Sequence, residues 1–104
     1  MNRIVCGLIS LVFAGALAPG ASAADAANGK ILAQRWCAAC HVVASDQQSA
    51  NGQAAPFSAI GKAPDLDASK LALFLLMPHP NMPDMALSRA EAADLAAYIA
   101  SQGK

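Results

Sequence analysis

Lysine and arginine are few in this 104-residue chain and nowhere clustered: seven of them face seven aspartates and glutamates. Nucleic acid is thereby excluded as a partner, since phosphate binding needs basic side chains gathered on one face. Long hydrophobic runs are also missing. The one apolar stretch, Ile4 to Leu17, is 14 residues long, short of the roughly 20 that a membrane-spanning helix needs. Its flanks give it another meaning: Arg3 before it, Pro19-Gly20 after it, then the small residues Ala21-Ser22-Ala23. This is the order of a secretory leader. We expect residues 1–23 to be a cleaved signal peptide, leaving a domain over 24–104 in the periplasm with no integral membrane anchor.

Cleavage removes Arg3 and leaves six cations against seven anions, a net charge of −1, so electrostatic steering of partners is weak. It also removes Cys6, so no disulfide partner is missing. The remaining 81 residues are scarcely enough for a self-sufficient core, because a chain this short hides only a little over ~60% of its unfolded surface. Such domains need a staple.

The staple is suggested by Cys37-Ala38-Ala39-Cys40-His41. Two thiols two residues apart, followed at once by an imidazole in an exported chain, suit covalent capture of haem. Each sulfur can add to one porphyrin vinyl group, and His41 then reaches the iron from one side. A structural zinc ion would need four ligands around it, and only Cys37, Cys40, His41 and the distant His79 are offered. A thioredoxin-like pair should follow an apolar strand, whereas the residues before Cys37 carry a helical pattern.

That pattern predicts a first helix starting at Asp25 or Asn28, with Ile31, Leu32, Arg35 and Trp36 spaced to turn an apolar face inward. Gly29 within it marks either close approach of another helix or a frayed first turn. Trp36 is expected to pack over the core. From Val42 to Asp67 no period persists, and Ser45 to Ser49 with Asn51-Gly52 reads as solvated turn. Pro56 to Ile60 should close the histidine side of the pocket, where the Pro56 carbonyl is a candidate acceptor for the His41 Nδ1–H. Asp65 or Asp67 caps a short helix from Ala68 to about Leu76, ended by Pro78, with Leu71, Phe74 and Leu75 on one face. The last helix opens on a Ser88/Glu91 capping box, buries Ala92, Leu95, Ala96, Tyr98 and Ile99, and stops at Gln102-Gly103. Its stripe is expected to meet Gly29.

Between the last two helices runs Met77-Pro78-His79-Pro80-Asn81-Met82-Pro83-Asp84-Met85. Its prolines stiffen a loop that has to present one side chain. The sixth iron ligand could come from Met77, His79, Met82 or Met85. A thioether favours Fe(II) and raises the reduction potential, and a second imidazole lowers it.

Placed together, residues 25–102 resemble a class I cytochrome c of the small bacterial monohaem type. The resemblance rests on the CxxCH motif, on Gly29 eight residues before Cys37, and on Leu95 and Tyr98 in the last helix. It implies an all-α fold of three to four short helices around one covalently bound haem c. It also implies Met82 as the axial methionine, since Met82 precedes a proline and stands 16 residues before Tyr98. The haem-binding set is then Cys37, Cys40, His41 and Met82, with His41 and Met82 on the metal. Relatives often carry an aromatic where this chain has Ala33, so that contact is expected to be looser or filled by Trp36. The lysine ring of mitochondrial relatives is absent.

With both axial positions filled, the expected function is one-electron transport and not enzymatic catalysis. Its partners would be redox proteins, a dehydrogenase or reductase as donor and an oxidase or another cytochrome as acceptor. The alternatives are an electron-accepting subunit of a periplasmic dehydrogenase and a gas sensor or peroxidase-like protein with a labile sixth ligand.

Overall fold

The computed structural model describes Gly15 and residues 23–52, 54–77 and 81–104. Most of the expected leader, together with Pro78, His79 and Pro80, lies outside the described residues. Among those described there are four helices and no strand: α1 (Ala26–Trp36), α2 (Phe57–Gly61), α3 (Ala68–Leu76) and α4 (Arg89–Ser101).

α4 is the element that the other three pack against. It forms where its residues say it should. The Ser88 N–H donates to Glu91 Oε1 at 3.0 Å and the Glu91 N–H to Ser88 Oγ at 3.1 Å, so a reciprocal cap satisfies two donors that a helix start otherwise leaves open. Ala92, Leu95, Ala96, Tyr98 and Ile99 are all buried.

α1 lies across α4 at Gly29. A Cβ there would meet the Asp94 carbonyl and come 2.7 Å from the Tyr98 Cβ. The glycine therefore marks a backbone crossing and not a frayed turn. Asp25 caps α1, its carboxylate accepting from the N–H groups of Ala27 and Asn28 at 3.0 and 3.2 Å. Asp94 of α4 in turn accepts from the Asp25 N–H at 2.7 Å and the Asn28 amide at 2.9 Å. The face that α1 buries differs from the one expected. Gly29, Leu32 and Ala33 are inside, while Ile31 is 55% and Trp36 41% exposed. The crossing is so close that only small residues and one leucine fit within it, and the bulky neighbours are turned out. Ala33 has no exposed surface, so it sits in a tight contact, and Trp36 fills no gap there.

α2 is a helix where none was expected. Its five residues are too few for periodicity to register. It docks end-on against α4: a Cβ on Gly61 would lie 2.6 Å from both the Gly103 nitrogen and the Ile99 carbonyl, so the two segments touch backbone to backbone. α3 starts at Asp67, which accepts from the Ser69 and Lys70 N–H groups at 2.8 and 3.3 Å. It buries Leu75 against α4 and leaves Leu73 62% and Phe74 47% exposed.

Candidate haem site

The cysteine motif is a turn hung from the end of α1. The Cys37 N–H donates to the Ala33 carbonyl at 2.9 Å, and the Cys37 carbonyl accepts from Cys40 and His41 at 3.1 and 2.8 Å. The turn buries Cys37 and exposes Cys40. Burial pushes the Cys37 thiol up to about 11, whereas the reactive cysteine of a thiol–disulfide enzyme has its pKa lowered. Among the described residues no three His, Cys, Asp or Glu side chains come together as a metal cluster. Neither alternative to haem gains support.

His41 is fixed from two sides. Its Nδ1 lies 2.6 Å from the Ala55 carbonyl, and since a carbonyl can only accept, Nδ1 carries the proton and Nε2 is the nitrogen available to a metal. The acceptor is Ala55 and not Pro56. The Pro56 carbonyl is taken up by Ala59 and Ile60 at 3.0 and 3.1 Å, because Pro56 opens α2. The expected hydrogen bond exists one residue earlier, and the proline acts as helix starter. The imidazole also rests on Phe57, with ring centroids 5.3 Å apart, and Phe57 meets Tyr98 edge-on at 6.2 Å.

Three adjoining cavities of about 140, 130 and 440 Å³ all have His41 and Met82 in their walls. The first is bounded by Phe57, Ile60, Leu71, Phe74, Leu75 and Ile99, with Cys37 at its edge; Cys40 borders the other two. A porphyrin requires an apolar slot with two thiols at its rim and soft or imidazole donors in its walls, and these residues meet that requirement. The apolar face of α3 that helix packing leaves open, Leu71 and Phe74, belongs to this slot.

The sixth-ligand candidates stand in different surroundings. Met82 is half-buried in the crevice wall. It follows Asn81, whose φ of 68° is a left-handed conformation that asparagine tolerates better than most residues. Met85 is 6% exposed and belongs to the core cluster, and Met77 is 60% exposed. His79 lies outside the described residues.

Two contacts could not be foreseen. The Tyr98 hydroxyl, buried, donates to the Val43 carbonyl at 2.7 Å. Gln47, expected in a solvated turn, is half-buried and bonded to four backbone groups around the motif. Nothing in the residue string distinguishes Gln47 from Gln48, which is exposed.

A helical fold whose open slot is edged by CxxCH is the architecture of a haem-binding electron-transfer protein. Residues 26–103 match the cytochrome c family model, and the chain belongs to the cytochrome c family as a small class I member whose cofactor is covalently attached haem c. It is 47% identical over 101 residues to cytochrome c-552 of Bradyrhizobium diazoefficiens, covering 97% of each chain. No solved structure matches it significantly. Haem-based electron transfer with redox partners is what this membership carries, and among the described residues no helix is long and apolar enough to cross a membrane.

Proposed function

We propose that this chain is a periplasmic one-electron carrier, exported by the signal peptide 1–23, in which Cys37 and Cys40 hold haem c by thioether bonds and His41 and Met82 ligate its iron. The observation that carries the reading is that His41 and Met82 wall the same crevice that the two cysteines border. Bound there, haem c supplies a one-electron couple. His41 offers Nε2 while its Nδ1–H is tied to Ala55, which makes the imidazole a better donor. Met82 offers a thioether that favours the reduced state. Phe57, Leu71, Phe74, Leu75 and Ile99 exclude water and keep the slot at low polarity. With His41 and Met82 both holding the iron, no place would be left there for a substrate. The matched relative carries the name cytochrome c-552, which agrees with a haem-based electron carrier.

The optical spectrum of the ferric holoprotein tests the ligand pair. A weak far-red band of methionine-bound haem, lost in Met82→Ala and kept in Met85→Ala, is the expected result. Its absence in the wild type, or rapid CO binding to the reduced wild type at neutral pH, would contradict it.

The exposure of Leu73 and Met77 favours a second reading, an electron-accepting subunit bound to a dehydrogenase. Native-size chromatography of the protein from its own host separates the two.

A further inference from the structure

We propose that Gln47 is a positioning residue for the axial histidine, a backbone clamp that holds the chain on both sides of His41 and thereby sets the reduction potential. The inference rests on the reading of His41 as iron ligand.

The Val43 N–H donates to Gln47 Oε1 at 2.9 Å, and Gln47 Nε2 donates to the carbonyls of Ala38 and His41 at 2.9 Å each and of Ser49 at 3.1 Å. One N–H facing the amide from one side and three carbonyls from the other admit a single orientation of the side chain. Only a neutral group with donor and acceptor together can do this. A carboxylate has no donor for the carbonyls, and an ammonium has no acceptor for Val43.

The bonded groups are not scattered. Ala38 lies inside the cysteine turn, His41 is the ligand itself, Val43 follows it, and Ser49 belongs to the returning loop. Two further bonds continue the closure: the Asn51 N–H reaches the Ala39 carbonyl at 2.7 Å, and the Tyr98 hydroxyl takes the Val43 carbonyl at 2.7 Å. The loop so held ends at Ala55, whose carbonyl accepts the His41 Nδ1–H. Gln47 therefore fixes the backbone of the ligand and the loop that carries the ligand's hydrogen-bond acceptor. Without it the two drift apart, the Nδ1–H bond weakens, the imidazole becomes a poorer donor, and Fe(II) gains relative to Fe(III).

The test uses holoprotein matured in the periplasm as wild type, Gln47→Leu, which keeps the volume and loses every hydrogen bond, and Gln48→Ala as the neighbouring control. Redox titration is expected to show the reduction equilibrium of Gln47→Leu shifted toward Fe(II) by about threefold to tenfold, a rise of ~30–60 mV at 59 mV per decade for one electron. The Val43 amide should exchange its hydrogen at least about tenfold faster in that variant. Gln48→Ala should leave both unchanged. A Gln47→Leu protein with wild-type potential and wild-type Val43 protection would overturn the proposal, leaving Gln47 as mere filling. Should Gln47→Leu fail to mature, exchange in the wild type decides: a protected Val43 amide upholds the clamp, and one exchanging as fast as the Gln48 amide refutes it. A missing far-red band in the wild type speaks against Met82 alone, because the Val43 measurement does not depend on it.

Discussion

The two halves of this small protein are finished to different degrees. Where α1 crosses α4, Gly29, Leu32 and Ala33 bring α1 into backbone contact at Asp94 beside Tyr98, and the Asp94 carboxylate ties the start of α1. Across the molecule, α3 and Met82 stand around a slot, and Phe74 in its wall remains 47% exposed. Packing in the first half is protein on protein. In the second, Leu71 and Phe74 line the slot, where haem c, when bound, would complete the apolar packing of so short a chain. On this account the cofactor would be a structural member as well as a redox centre.

That contrast can be broken most severely at the attachment point. Replacing Cys37 and Cys40 together by alanine should yield a colourless protein with no cooperative thermal transition by circular dichroism, since the open half then has nothing to close on. Next in size, Met85→Ala and Gly29→Val should each cost about 3 kcal/mol in denaturant unfolding of the holoprotein, the first by leaving a cavity and the second by forcing a side chain into the Asp94 and Tyr98 contact. Both should keep the far-red band, whereas Met82→Ala should lose it with little change in the helix crossing.

Tyr98 links the halves, so its loss sharpens the comparison. Tyr98→Phe should cost about 1–2 kcal/mol, the value of a buried hydroxyl bond whose acceptor is left unpaired. The Tyr98 hydroxyl is pushed above its ordinary value near 10 by burial and, to a smaller degree, by the negative charge of Asp46. A raised acid favours its neutral form in the folded state, so this stabilisation is complete below pH 10 and is lost as pH rises through the folded-state value. Wild type should lose stability in that alkaline window, and Tyr98→Phe should lose less. The smallest effect belongs to Ser88→Ala, about 1 kcal/mol from the broken capping box, with an unchanged spectrum.

The finished half was the easier to read from residues. The capping box and the stripe on α4 stand where expected. Local chemistry narrowed the start of α1 to Asp25 or Asn28 and the meaning of Gly29 to a crossing or a frayed turn, of which the fold takes Asp25 and the crossing. Errors arose where spacing alone assigned a face: Ile31 and Trp36 keep helical register with Leu32 yet point outward, because a backbone-close crossing admits a narrower stripe than an ordinary helix contact. The open half yielded less. α2 is too short to show a period, the histidine's acceptor moved from Pro56 to Ala55 because the proline carbonyl starts that helix, and Gln47 acts through backbone groups brought together only by the folded loop. Such contacts leave no mark in composition. The cysteine motif was legible because its chemistry depends on spacing and not on the fold.

Covalent attachment is the claim on which the rest depends, and one peptide tests it. Trypsin cutting after Arg35 and Lys62 releases residues 36–62, which contain both motif cysteines. After acid–acetone extraction of the mature protein, which strips haem that is not covalently bound, the account predicts that the haem absorbance and the added mass of one haem remain on this peptide. A colourless peptide of unmodified mass, its thiols free or joined to each other, would contradict it.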